Sequence, residues 1–204
     1  MPASGASPQP DLVEELRDYY EQIENIKEDA EELTAALDDT QFNWRPSPKQ
    51  WSISECLAHL NITYGLALPA LSGEVERGHA AGLTASGPFR YGFFSRWFVG
   101  FMDAPPKFRI SAPKAYLPPA GHLKDQVVPE FLSIHDRLLE LLTKANGLDL
   151  AQIKVPSPAG PFKMSLGQRF ALLAAHDRRH LWQAWEVRKS KNFPILAADE
   201  HRRH

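Results

Sequence analysis

Residues 11–37 read DLVEELRDYYEQIENIKEDAEELTAAL, and in them Leu12, Leu16, Tyr19, Ile23, Ile26, Ala30, Leu33 and Leu37 recur at alternating steps of four and three. The positions between are mostly Glu, Asp, Lys and Gln. This spacing gathers the apolar side chains on one stripe of an α-helix and leaves the charges to solvent, the pattern of a bundle helix. Asp11 is the expected N-cap. A helix over 12–37 would rise roughly 38 Å, which sets the height of the domain.

Three further helical patterns extend this reading. After the turn-rich RPSPKQ at 45–50, Trp51 opens an apolar helix with Ser52 or Ser54 as N-cap, running to about Gly78 with a kink at Pro69. A third covers about Leu123 to Ala145, bends at Pro129 and ends in a left-handed cap at Asn146-Gly147. The fourth starts near Ser165, runs through LGQRFALLAAHDRRHLWQAWEVRKS and stops before Pro194. Almost nothing alternates with period two, so the one expected β-feature is a short hairpin around Pro158 to Pro161. The first link is about a dozen residues, forcing antiparallel neighbours, whereas roughly forty-five residues between helices two and three can climb back over the bundle. The expected fold is an all-α four-helix bundle running up, down, down, up, with the long crossover between helices two and three. Residues 11–190 form this one domain. Residues 1–10, MPASGASPQP, read as a disordered lead-in, and 191–204, closing on HRRH, as a tail.

Composition narrows the function classes. The chain has 204 residues, 43% hydrophobic and 24% charged, in the range of ordinary soluble domains. Lys plus Arg is 23 against 25 for Asp plus Glu, a net charge of −2, which disfavours a nucleic-acid partner. The single cysteine, Cys56, excludes an intrachain disulfide framework and fits a reducing cytoplasm. The first ten residues have no apolar core that could act as a secretory signal, and no membrane span is expected.

Histidine concentrates the chemistry. Of eight, three fall on expected core faces: His59 on the second helix, His176 and His180 on the fourth. The fourth helix's seam reads Leu166, Phe170, Leu173, His176, His180, Ala184 and Val187, so imidazoles interrupt an apolar stripe at its middle. Buried imidazoles need partners. At i and i+4 two ring nitrogens can reach one ion at about 2.0–2.1 Å, and a third from a facing helix leaves a position open for water or substrate. A satisfied pair of core histidines is the plainer alternative; the seam position and His59, set among apolar residues in SISECLAHL, favour metal.

Asn43, Trp44, Arg45 and Pro46, then Trp51-Ser52-Ile53 and His59-Leu60, with a distant His176-Asp177-x-x-His180-x-x-Gln183, resemble the DinB-like (YfiT-like) superfamily of metalloenzymes from about residue 11 to 190. The resemblance implies a four-helix bundle with this crossover and one divalent ion, nickel, zinc, iron or manganese, on His59, His176 and His180. It also implies a small-molecule substrate and a low-molecular-weight thiol such as mycothiol, bacillithiol or glutathione, used by an S-transferase or isomerase. A metal-dependent hydrolase and a non-catalytic metal- or ligand-binding protein are the alternatives.

Other residues carry two readings each. Cys56, one turn before His59, is a fourth ligand, a reactive thiol or core filling, and a lone cysteine on an apolar helix favours the last. Asp177 makes HDxxH, an echo of the zinc-protease motif, but aspartate is one carbon short; a solvated helix charge or an acceptor for a histidine N–H suits it better. Glu55 is the other candidate base. Gln183, Asn61 and Tyr64 lie within about a turn of the ligands and either line the pocket or are satisfied in the core. The segment FRYGFFSRWFVGF at 89–101 packs seven aromatics into 13 residues and reads as a bundle cap, a pocket wall or lid, or a homodimer or membrane-surface patch.

Overall fold

The computed structural model describes residues 10–106, 108, 111–157 and 162–194. The lead-in up to residue 9, the hairpin tip 158–161 and the closing HRRH lie outside the described residues. Among the described residues six helices form in chain order: α1 Glu14–Thr34, α2 Asp39–Phe42, α3 Ile53–Ala80, α4 Phe93–Met102, α5 Lys124–Lys144 and α6 Leu166–Arg188. A 3-10 turn, Lys114–Tyr116, sits in the crossover, and strands β1 Lys154–Pro156 and β2 Lys163–Ser165 pair antiparallel ahead of α6.

Local chemistry sets most of the boundaries. Helix α1 is shorter than its apolar stripe, and Asp11 does not cap it. Its first turn is secured from across the bundle instead, where the Val13 N–H donates to Asn146 Oδ1 at 3.0 Å. At its other end Asp38 opens α2 with a reciprocal capping box to Gln41, which diverts the chain and leaves Leu37 buried outside any helix. Ser52 caps α3 in the same way with Glu55. Pro69 and Pro129 lie inside α3 and α5 without ending either. Gly147, at φ 83°, makes the left-handed exit of α5. The start of α6 is satisfied by main chain: Leu166 N–H donates to Ile153 O at 2.9 Å and Gly167 N–H to Leu150 O at 3.0 Å.

Helix α1 packs against α5 and α6, and α3 packs against the same two, closing a ring of four. Cross-helix contacts give the directions. Gln22 meets Arg178 and Asp29 meets Trp185, so α1 and α6 run parallel. Asn61 meets Val127 and His79 meets Lys144, so α3 and α5 also run parallel. Val13 meets Asn146 while Lys27 meets Asp136, setting α1 antiparallel to α5. The order is up, down, down, up for α1, α3, α5 and α6. The core between them is built on Leu16, Ile23 and Leu33 of α1, Leu57, Leu60 and Leu71 of α3, Phe131 and Leu138 of α5, and Phe170 of α6.

Candidate metal centre

Helices α3 and α6 place three imidazoles against one another. His59 faces inward seven residues into α3, and His176 and His180 stand one turn apart on the facing stripe of α6. The Nε2 atom of His176 lies 3.4 Å from Nε2 of His59 and 3.2 Å from Nε2 of His180. Two nitrogens held at about 2.0–2.1 Å by a tetrahedral ion lie roughly 3.3 Å apart, so these separations match a shared cation. His59 Nδ1–H donates to the Tyr116 carbonyl at 2.7 Å, which leaves its Nε2 lone pair bare toward the other rings. Nδ1 of His176 and of His180 are buried without a hydrogen-bond partner.

Burial governs the electrostatics. It pushes His176 down to about 3, helped by the neighbouring charges of His59 and Arg179. Burial, with the other two rings beside it, holds His180 well below its ordinary value. His59 is lowered by burial as well, against the opposing pull of the Tyr116 carbonyl and Asp177. The three rings are therefore neutral near pH 7, the form in which imidazole binds metal. These three residues form a group that could hold a metal ion among the described residues.

A cleft of about 1340 Å³ opens onto the rings. Trp51 forms one wall, stacked on His180 with ring centroids 5.7 Å apart. Phe98 and Met102 of α4 and Gln183 of α6 also line it. The aromatic segment thus supplies a helix packed on α6 whose Phe98 and Met102 line the cleft, while Phe93, Phe94 and Trp97 are exposed.

The remaining candidates have other work. Cys56 is fully buried core and outside the histidine group, and burial pushes its thiol far up. Burial also pushes Glu55 up, but the Arg45 guanidinium and the Ser52 donors outweigh it and hold the carboxyl below its usual range. Its oxygens are committed to Arg45 and to the cap of α3. Asn61 gives its amide to Val127 O and Glu130 Oε2, and Tyr64 gives its hydroxyl to Asp177. Neither is in the cleft lining, whereas Gln183 is.

Asp177 is not a solvated helix charge. It is completely buried and accepts from His135 Nε2, at 3.2 Å, as well as from Tyr64. The histidine it serves is not one of the three. His135 has a sequence signal, since it falls in the buried stripe of α5 with Phe131, Ile134 and Leu138. Tyr116 has none, because it acts through its carbonyl from within the crossover.

No helix among the described residues is long and apolar enough to cross a membrane. Searches among curated proteins and solved structures find no match to the chain. A family model described as the DinB superfamily matches residues 22–184, a span that contains all three histidines, the whole of α3 and α6 as far as Ala184. The chain belongs to the DinB superfamily.

Proposed function

We propose that the chain is a metal-dependent enzyme in which His59, His176 and His180 hold one divalent ion and a small thiol serves as co-substrate in a transfer or isomerisation. The observation that carries this reading is the convergence of three neutral imidazole nitrogens on one open cleft, with no carboxylate in the histidine group. A divalent ion on such a ligand set keeps its full charge and supplies Lewis acidity, lowering the pKa of a thiol or of water.

The chain's own residues supply the rest. Tyr116 O fixes the tautomer of His59, and Trp51 covers one side of His180. The cleft is large enough for a co-substrate and an electrophile together. The hydrolytic alternative is less well served: Glu55 and Asp177 are occupied by Arg45, Ser52, Tyr64 and His135. Glu186, the carboxylate in the cleft lining, lies six residues beyond His180, about 9 Å along α6 by helical rise.

Cobalt substitution tests the proposal. Adding 2-mercaptoethanol should produce a sulfur-to-metal charge-transfer band in the wild type and none in His180→Ala, together with proton release on binding. If thiols leave the cobalt spectrum unchanged while acetate or phosphate alters it, the thiol reading fails and hydrolysis or anion binding takes its place.

A further inference from the structure

Two buried arginines of α6 line the cleft with the histidines, and neither meets a carboxylate among the described residues. Arg169 and Arg179 are each 7% exposed. Arg169 gives Nη2–H to Pro156 O at 3.2 Å, and Arg179 gives Nη2–H to Phe108 O at 2.7 Å. The Nε of Arg169 is buried with no hydrogen-bond partner at all. Arg45, Arg77 and Arg178 are paired with Glu55, Glu74 and Asp103, and Arg17 and Arg188, which also give to carbonyls, are not buried. A desolvated guanidinium with only a carbonyl for company is unfavourable in the free protein, so its retention calls for an anion that arrives from outside.

Placement says where that anion goes. Both arginines line the cleft that contains the three histidines. Arg169 precedes His176 by seven residues, two turns along one face, and Arg179 directly precedes His180. Arg169 stands beside Tyr116, whose carbonyl orients His59, near enough for its charge to oppose the upward push of burial on that phenol. Lys49 and Lys189 also line the cleft, against Glu186 as its carboxylate, so its lining is positive. Ten residues separate the two arginines, a rise of about 15 Å, with His176 between them and His180 one residue beyond Arg179.

We propose that Arg169 and Arg179 bind two oxyanion groups, carboxylates or phosphates, of one extended small molecule that lies along α6 past His176 and presents an atom to the histidines. The presenting role rests on the metal reading; the anion site itself does not. Guanidinium suits this task because its planar fork matches an oxyanion and stays charged.

Calorimetric titration of the metal-loaded protein with the dicarboxylates glutarate, adipate and pimelate tests it, with the corresponding diamides as neutral controls. At least one dicarboxylate should bind and its diamide should not. Arg169→Gln and Arg179→Gln should each weaken binding by about tenfold or more, and Arg169→Lys by less. Without ligand, the Gln variants should melt at or above the wild-type temperature, because each removes an unpaired buried charge. In metal-free His176→Ala the arginine-dependent binding should persist. Three results overturn the proposal: no dicarboxylate binds the wild type, binding is unchanged in the Gln variants, or those variants melt lower or fail to fold, which would make the arginines structural. Binding that survives both Gln variants but vanishes in His176→Ala would leave the metal centre standing and remove the arginine site alone.

Discussion

The Nε2 of His135 on α5 lies 3.2 Å from Oδ2 of Asp177 on α6, one residue from His176, and both side chains are wholly buried. The same Oδ2 accepts the hydroxyl of Tyr64 from α3. His135 Nδ1–H is held by the Phe131 carbonyl at 2.7 Å, which fixes the ring. Three of the four long helices are thus joined at one polar point beside the histidine group. The side chain of Asp177 fixes the rotation of α6 about its own axis, and that rotation decides where His176 and His180 point.

Such a network is strongly coupled, because each member relies on the others for desolvated hydrogen bonds. Asp177→Asn should destabilise the protein by about 3 kcal/mol and Tyr64→Phe by about 1–2 kcal/mol. The double variant should be less destabilised than the sum of the two. Urea unfolding of all four proteins measures this, and strict additivity would show that the two residues act separately.

Glu55 gives a pH signature with a definite sign. Its folded pKa lies below the ordinary value of 4.5, because Arg45 and Ser52 overcome the effect of burial. Below pH 4.5 the unfolded chain therefore binds more protons than the folded one. The contribution of Glu55 is complete above pH 4.5 and is lost as the pH falls through the folded pKa. Glu55→Gln should cost about 1–3 kcal/mol at neutral pH, and the difference from wild type should shrink in acid. A gap that stays constant from pH 7 to pH 3 would remove the carboxylate from the stability of α3.

Much of this was legible in the sequence, for physical reasons that also mark the limits. The buried stripe of α1 and the seam of α6 follow from helical periodicity, and the capping role of Ser52 from its place before an apolar run. The convergence of His59 with the pair on α6 was expected from three polar rings on apolar faces, which cannot be left without partners. What periodicity cannot register is a partner in another element. Asn146 replaces Asp11 at the start of α1, and Asp177 looks solvent-facing until His135 and Tyr64 are seen around it. Arg169 and Arg179 carry no signal in the sequence, because burial by the crossover and the hairpin is not a property of their own helix.

Scaffold and centre should separate under mutation. Ile23, 1% exposed in the core, lies on α1, which supplies none of the three histidines. Ile23→Ala should cost about 2–5 kcal/mol through cavity formation and leave the metal affinity of the folded protein nearly unchanged. An undiminished melting temperature would misplace the buried face of α1.

Gly167 tests how the crossover is anchored. A Cβ there would come within 2.0 Å of the Tyr91 hydroxyl and 2.7 Å of Glu15 Oε1, two groups hydrogen-bonded to each other at 2.5 Å. Gly167→Ala should therefore expel Tyr91 and cost about 1–3 kcal/mol. Tyr91→Phe combined with Gly167→Ala should lose less than the two changes added, since the first already breaks the bond. Full additivity in thermal unfolding would mean that the alanine strains something other than Tyr91.

The last expectation concerns metal content. Three nitrogens on two helices form one group, so purified protein should hold close to one divalent ion per chain by elemental analysis. His176→Ala removes the ring whose Nε2 lies within 3.4 Å of both others, and tight binding should be lost. Cys56→Ala separates this centre from a thiolate site: the sulfur is in the core and outside the group, so stoichiometry and affinity should be unchanged. His135→Gln makes the complementary control: Tyr64 still holds Asp177 and none of the three rings is removed, so the variant should lower stability yet retain the ion. Metal-free native protein, with the same affinity for added metal in His59→Ala and His176→Ala as in the wild type, would remove the centre.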